Sequence, residues 1–279
     1  MYNSFIKMEW KRTCYRWQLL VAFIAFMAVF IHIVSMQKAS IPNHSGYPME
    51  LILGKTNPFI SFVKGIGWNL NSYMATVFPL IVMLICGDSL FIDYRTGYFQ
   101  YCLSRTSLKK YIVCKTMSIA IVTFVVTLLF QIIAFIYCLC TSPFHIPTMS
   151  SQIKPTIPSL GRDLYLHNVY MYIFFVMLLL SLAAAVIAMI GLVVSNVVRH
   201  SSLVFSIPWI LILLVGQVFL YIAPETKYIT KILSPLHNLG PFLFSSNHTW
   251  WSIGLYWGGA CLLFSFLAYR LALRKCTSQ

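Results

Sequence analysis

Six long stretches of this sequence contain no charged residue, and they constrain the fold more than any other feature. A helix needs about 20 mostly apolar residues to cross the hydrocarbon core of a bilayer. Each stretch reaches that length, and its apolar residues are continuous, whereas barrel strands are shorter and alternate in polarity. We therefore predict an all-α integral membrane protein that forms a single transmembrane domain over residues 17–279. Its six transmembrane helices are predicted near residues 17–36, 69–90, 112–139, 168–195, 202–222 and 250–271.

The composition agrees with this class and excludes two others. Apolar residues make up 59% of the chain and charged residues only 9%, whereas soluble domains carry roughly 25% charged residues. A water-soluble enzyme and a disordered chain are therefore both excluded. The net charge of +14 indicates contact with anionic lipid or an acidic partner, and not nucleic-acid binding, in a chain this apolar.

The basic residues also predict the orientation of the chain. An even number of helices places both termini on one side of the membrane. That side carries 13 of the 20 lysines and arginines, and the other side carries seven. Because basic residues concentrate on the inner side, we expect a multi-pass protein of the plasma membrane with both termini in the cytoplasm.

The first 16 residues have an amphipathic pattern. Apolar side chains recur at helical spacing, and basic side chains lie off that stripe. This pattern predicts an interfacial elbow helix over residues 1–16 that contacts membrane lipid. The alternative is a basic flank that only sets the orientation. The residues expected at the membrane interface are Ile6, Trp10, Lys11, Arg12 and Trp17.

Prolines and glycines mark the segments on the predicted outer side. Residues 37–66 and 141–167 have the composition of loops. The third segment, 223–249, contains a charge-free apolar stretch interrupted by Pro235 and Pro241. It either dips back into the membrane against protein, where irregular backbone is tolerated, or forms an apolar surface loop.

The predicted cytoplasmic loop 88–111 differs from the other connections. It holds two of the six acids, four basic residues and several aromatic residues. Residues 91–103 have the pattern of a short amphipathic helix that breaks near Gly97. A basic, aromatic and structured segment at this surface indicates a docking element.

Motifs of catalysis and cofactor binding are absent from the sequence. There is no GxxxxGK[ST] phosphate-binding loop, no HExxH and no paired-histidine pattern. We therefore expect no catalytic residue, no metal site and no cofactor in this chain. The eight cysteines fall in predicted helices or on the predicted cytoplasmic side, and we expect free thiols.

The stretch from Asp93 to Lys115, together with the six-helix pattern, resembles the ABC-2 type permeases, which are membrane subunits of bacterial ABC exporters. Asp93 and Gly97 have the family's acid-to-glycine spacing, Ser104-Arg105 follows, and Tyr111 to Lys115 resembles the start of the third helix. Tyr98 stands where the family usually has Thr, and Cys114 where it has Gly. The resemblance covers essentially all 279 residues.

The resemblance implies a transport subunit without enzymatic activity of its own. ATP and Mg²⁺ would bind in a separate ABC ATPase, present in two copies, and a second permease chain would complete the exporter. A homodimer is the simpler expectation, and a heterodimer is the alternative. The resemblance makes loop 88–111 the coupling segment, with Asp93, Arg95, Gly97, Tyr98, Phe99, Arg105 and Lys109 as the transmission surface.

The substrate expected from the resemblance is amphipathic or hydrophobic, such as an antimicrobial or cytolytic peptide, a bacteriocin-like toxin or a lipid-like compound. Few polar side chains occur in the predicted helices, and those expected to face a pathway are Gln131, Ser181 and Gln217. Segment 223–249 would help to close the exit as an outer gate, with Pro235, Pro241 and Phe242.

Two other functions are open from the sequence. The first is a lipid-modifying membrane enzyme, for which Asp88, Asp93 and Arg95 form the nearest cluster of reactive side chains. The second is a scaffold or immunity protein that binds a peptide at the membrane without transporting it.

Overall fold

All regular secondary structure of the described residues is helical. The computed structural model of the protein describes residues 7–8, 10–12, 15–39, 56–67, 73–146, 158, 160–198, 200–222, 233–240 and 249–277. In this part of the chain, six helices are long and apolar enough to cross a membrane. The prediction of an all-α membrane protein is therefore confirmed.

Ten helices occur in the described part of the chain, and some are shorter than a membrane span. The second span, Met74–Arg95, combines two of them, joined by a turn at Gly87 and Asp88. The helices are α1 (Trp17–Ala39), α2 (Pro58–Gly67), α3 (Tyr73–Cys86), α4 (Ser89–Arg95), α5 (Tyr98–Leu103), α6 (Leu108–Thr141), α7 (Arg162–His167), α8 (Val169–Ser195), α9 (Ser201–Ile222) and α10 (Trp250–Thr277).

Helix α8 forms the centre of the bundle. Of the most apolar 18 residues of this helix, 72% are buried inside the protein. The corresponding shares are 22% for α9 and 17% for α10. Small residues allow neighbouring helices to approach α8 closely. At Gly191, a Cβ atom would lie 3.1 Å from the carbonyl oxygen of Gly87. The outer faces of α9 and α10 are left to contact lipid or another chain.

The segment predicted as the first outer loop, residues 37–66, contains the start of a helix, α2. The Asn57 carboxamide oxygen accepts a hydrogen bond of 2.7 Å from the amide of Ile60, so Asn57 caps α2. Pro58 occupies the first helical position, where a backbone N–H would have no intrahelical acceptor, so the missing N–H of proline costs little. All ten residues of α2 are buried, and the Phe62 ring packs against Phe135 at 5.3 Å.

The spans extend beyond the predicted bounds at several ends. Helix α6 begins at Leu108, four residues before the predicted start, and α10 ends at Thr277. Lys109 and Lys110 lie in the first turn of α6 and are exposed. Long basic side chains can extend from a helix end to water while their stems contact apolar surface. A lysine that ends a charge-free stretch of sequence therefore does not have to end the helix.

One end of the bundle carries residues 7–8, 10–12 and 15–16, loop 88–111 and the connection between α8 and α9. We call this end the basic end. At the opposite end, the Lys38 ammonium donates a 2.8 Å hydrogen bond to the carbonyl of Thr141, which ties α1 to α6.

Candidate functional site

Loop 88–111 is a pair of short helices at the basic end. Helices α4 and α5 are separated by Thr96 and Gly97, so the predicted break near Gly97 is present. Gly97 has φ of +74°, a conformation that costs glycine little and other residues more. The Thr96 hydroxyl donates a 2.9 Å hydrogen bond to the carbonyl of Ile92 and closes the end of α4.

The centre of the loop is a buried cluster of charges around Asp93. The Arg12 guanidinium donates to Asp93 Oδ1 at 2.8 Å, and the Lys115 ammonium lies 2.6 Å from Oδ2. The Tyr111 hydroxyl also donates to Oδ2, at 2.7 Å. The side chains of Asp93 and Lys115 are 0% exposed, and that of Arg12 is 34% exposed. Three donors on one carboxylate stabilise its ionised form.

A second ion pair lies beside this cluster. Arg16 donates to Asp88 Oδ1 at 2.7 Å, and both side chains are largely buried. Asp88 precedes α4, and Arg16 precedes α1. Together with Arg12 and Asp93, this pair attaches the N-terminal segment to both ends of α4.

Aromatic side chains connect the loop to α6 and α8. The Tyr94 hydroxyl donates a 2.7 Å hydrogen bond to the carboxamide oxygen of Asn196, which follows the last residue of α8. The buried Phe99 ring packs between Tyr94 at 4.5 Å and Tyr111 at 5.3 Å. These contacts join α4 to both α6 and the end of α8.

Tyr98 joins α5 to the N-terminal segment. Its hydroxyl donates to the sulfur of Met8 at 3.4 Å, and the Arg12 guanidinium lies 5.0 Å from the centre of its ring. Partial burial raises the pKa of the Tyr98 phenol, so the group is a neutral donor at physiological pH. Arg12 thus contacts both Asp93 and Tyr98.

The residues predicted to form the transmission surface divide into two groups. Asp93 and Phe99 are buried, and Tyr98 is half-buried, so these three hold the loop in place. Arg95, Gly97, Arg105 and Lys109 are exposed and are available to a partner. The assignment of these residues to a partner contact stays a prediction.

The predicted elbow residues lie at the same end. Residues 7–8 and 10–12 are helical, Trp10 is half-buried and Lys11 is exposed. Trp17 is the first residue of α1 and is 74% exposed, as expected for a side chain at the membrane interface. Ile6 lies outside the described residues.

The predicted pathway residues do not line one cavity. Gln131 and Ser181 are both fully buried, and the Gln131 amide nitrogen donates a 2.9 Å hydrogen bond to the Ser181 hydroxyl between α6 and α8. The carboxamide oxygen of Gln131 has no hydrogen-bond partner among the described residues. Gln217 is exposed on α9, away from the other two.

The described part of the predicted outer gate is a buried turn. Residues 234–240, which include Pro235, are buried. The Trp257 indole donates to the carbonyl of Asn238 at 3.3 Å, so α10 covers the irregular backbone with protein. Pro241 and Phe242 lie outside the described residues, and re-entry of the segment into the membrane stays a prediction.

Clustered metal ligands are absent from the described part of the chain, where no three His, Cys, Asp or Glu side chains come together. The six cysteines described are free thiols. Asp88 and Asp93, the acids considered for an enzyme, are both held in ion pairs.

Sequence reasoning missed the partners of the two acids. In the sequence, Lys115 stands out only as part of the start of the third helix. A lysine inside an apolar span, however, needs a buried counter-ion. That signal, with only six acids in the chain, points to Asp93. Asn196 carried no comparable signal, because its partner is a tyrosine hydroxyl.

Comparison with protein-family models and with curated proteins gave no match for this sequence.

Proposed function

We propose that this chain is the permease subunit of an ATP-driven exporter and that loop 88–111 receives the force of a separate ATPase. One observation supports the proposal: loop 88–111 is held by one buried and two part-buried polar contacts to three different elements. Asp93 binds Arg12 of the N-terminal segment and Lys115 of α6, and Tyr94 binds Asn196 at the end of α8.

These contacts suit the transmission of movement. Separating a buried ion pair leaves an uncompensated charge, which costs several kcal/mol. A force on α4 therefore moves Asp93 and Lys115 together and shifts α6. The hydrogen bond from Tyr94 passes the same movement to α8, the central helix. Such rigid links between a surface element and spanning helices are what alternating access requires.

The surface offered to the ATPase lies on α5 and at the start of α6. Arg105 and Lys109 are exposed, and the Arg105 guanidinium stacks over the exposed ring of Tyr101 at 4.5 Å. A basic and aromatic surface suits an acidic groove on a partner. ATP and Mg²⁺ bind in that partner, present in two copies.

The second permease chain would pack against the poorly buried helices. On α10, Gly254 and Gly258 have the spacing of close-packed transmembrane helices, and a Cβ atom at either position would meet no atom within 4 Å. A second copy of this chain is the simplest partner.

The substrate is an amphipathic or hydrophobic molecule, for which a peptide is the favoured class. Gln131 and Ser181 bind each other inside the chain, so we place the pathway between two permease chains, where exposed apolar faces and Gln217 are available. The exposed surface of α10 supplies the apolar lining that such a substrate needs.

The experiment is to purify the full chain with the ATP-binding subunit that copurifies and to reconstitute the complex in lipid nanodiscs. We expect ATP hydrolysis that rises severalfold when an amphipathic cationic peptide is added. A complex that hydrolyses ATP without any response to peptides or lipids would contradict the substrate class. A chain that never associates with an ATP-binding subunit would contradict the exporter and leave a scaffold or immunity protein.

A further inference from the structure

A surface groove at the basic end lies between α4 and the start of α9. It encloses about 570 Å³, which is within the range of small-molecule sites. Its lining residues come from two chain segments and are Phe91, Tyr94, Arg95, Val198, His200, Ser201 and Ser202. Loop 88–111 thus has a second face, distinct from the one that carries Arg105 and Lys109.

The groove has a positive charge that nothing else in the described chain neutralises. Among the described residues, Arg95 forms no ion pair, whereas the nearby Asp88 and Asp93 are already bound by other basic side chains. No acid is among the described residues that line the groove. The hydroxyls of Ser201 and Ser202 are exposed and can donate to the same anion as Arg95.

The depth of the groove matches the surface of a membrane. Arg95 is the last residue of the second span, and Ser201 is the first residue of the fifth. Phospholipid headgroups lie at this level. The hydrogen bond from Tyr94 to Asn196 joins α4 to the end of α8 beside the groove.

An apolar stripe leads away from the groove along α9. Leu203, Ile210 and Leu214 are exposed and recur at helical spacing. Phe91 and Val198 add apolar wall at the groove itself. A phosphate in the groove with an acyl chain on this stripe would use both features, whereas a soluble phosphate would use only the first.

We propose that the groove between α4 and α9 binds the phosphate of an anionic phospholipid, with Arg95, His200, Ser201 and Ser202 around the headgroup. Basic pockets between transmembrane helices bind anionic headgroups in this way. The inference is independent of the proposed exporter function, because it requires only the membrane and the groove.

The test is a lipid titration of the delipidated full chain in detergent, with bound lipid counted by native mass spectrometry. We expect phosphatidylglycerol to bind about tenfold more tightly than phosphatidylcholine. Both lipids carry a phosphate, but the choline cation offsets that charge and is repelled by the Arg95 guanidinium. Arg95→Gln should remove this tenfold preference, so that the two lipids bind the variant with similar affinity. The matched control is Lys109→Gln, an exposed basic residue of the same end that lies outside the groove.

Competition experiments distinguish a small soluble phosphate from a whole phospholipid as the ligand of the groove. Displacement of lipid by glycerol phosphate alone assigns the groove to the phosphate group, and displacement only by long-chain lipid assigns it to the whole phospholipid. Equal loss in the Arg95 and Lys109 variants would overturn the proposal, since it would indicate nonspecific charge. Displacement by an acidic peptide at lower concentration than glycerol phosphate would also overturn it and indicate a protein partner. The melting temperatures of both variants are measured to establish that they are folded.

Discussion

Replacing Asp93 by Asn is expected to destabilise the protein more than any other single change at the basic end. The substitution removes the carboxylate that forms an ion pair with Lys115, whose side chain is 0% exposed. Loss of one partner from a buried ion pair costs roughly 3–5 kcal/mol, because the remaining charge is left without compensation. We expect a lower melting temperature in mild detergent, measured by fluorescence-detected size-exclusion chromatography.

Substitution of Lys115 distinguishes the effect of the buried charge on stability from the effect of side-chain shape. Lys115→Met alone is expected to be milder, since Asp93 keeps Arg12 and Tyr111. The double variant Asp93→Asn with Lys115→Met should regain most of the lost stability. Asp163→Asn changes an exposed acid and serves as the control. An Asp93→Asn protein as stable as this control would show that the buried charges do not hold the loop.

Reversing two charges on the exposed face of the loop is expected to abolish binding of the ATPase. Arg105→Glu with Lys109→Glu places two negative charges where we propose an acidic partner surface. Like charges at an interface cost several kcal/mol, so we expect about 100-fold weaker association, measured as ATPase that copurifies and as ATP hydrolysis. Both residues are exposed, so the fold should be unaffected.

The control for this variant makes the same change elsewhere on the basic end. Lys7→Glu with Lys11→Glu alters two exposed lysines of the N-terminal segment and leaves the loop intact. Equal loss of ATPase in both double variants would indicate a general effect of charge and contradict the assignment to the loop.

The buried role of Asp93 changes how a coupling defect should be interpreted. From the sequence, Asp93→Lys appears as a substitution that uncouples transport in a folded chain. In the structure, a lysine at this position would lie against Lys115 and Arg12, so loss of folding precedes any loss of coupling. Gly97→Pro also disturbs the turn itself, because Gly97 has φ of +74°, which the proline ring excludes.

Apolar length predicts the spans well, because the cost of a charge in hydrocarbon is large and local. The same criterion fails for α2, where ten residues are too few for a span. The Asn57-Pro58 pair carries the correct signal for a helix start, but prolines and glycines around it also fit a loop. Capping chemistry decides the local structure, and packing against Phe135 completes it.

The candidate site was predicted only in outline. Clustered acids and aromatics mark loop 88–111 as a structured element, and the break at Gly97 follows from its conformational freedom. Which side chains face inward depends on distant residues: Arg12 and Asn196 come from chain segments about 80 and 100 residues away from the loop. A pattern within the loop cannot specify those partners, so the buried and exposed faces become separable only in the structure.

Photocrosslinking from α5 tests directly whether loop 88–111 contacts a separate ATP-binding subunit. Tyr101 is 52% exposed on α5 and can be replaced by a photoreactive phenylalanine analogue of similar shape. Met117 is 53% exposed within the span of α6 and serves as the control position. We predict a crosslink from position 101, and none from position 117, to a subunit that binds ATP. Equal crosslinking from both positions, or no ATP-binding protein from position 101 in cells that retain the complex, would contradict it.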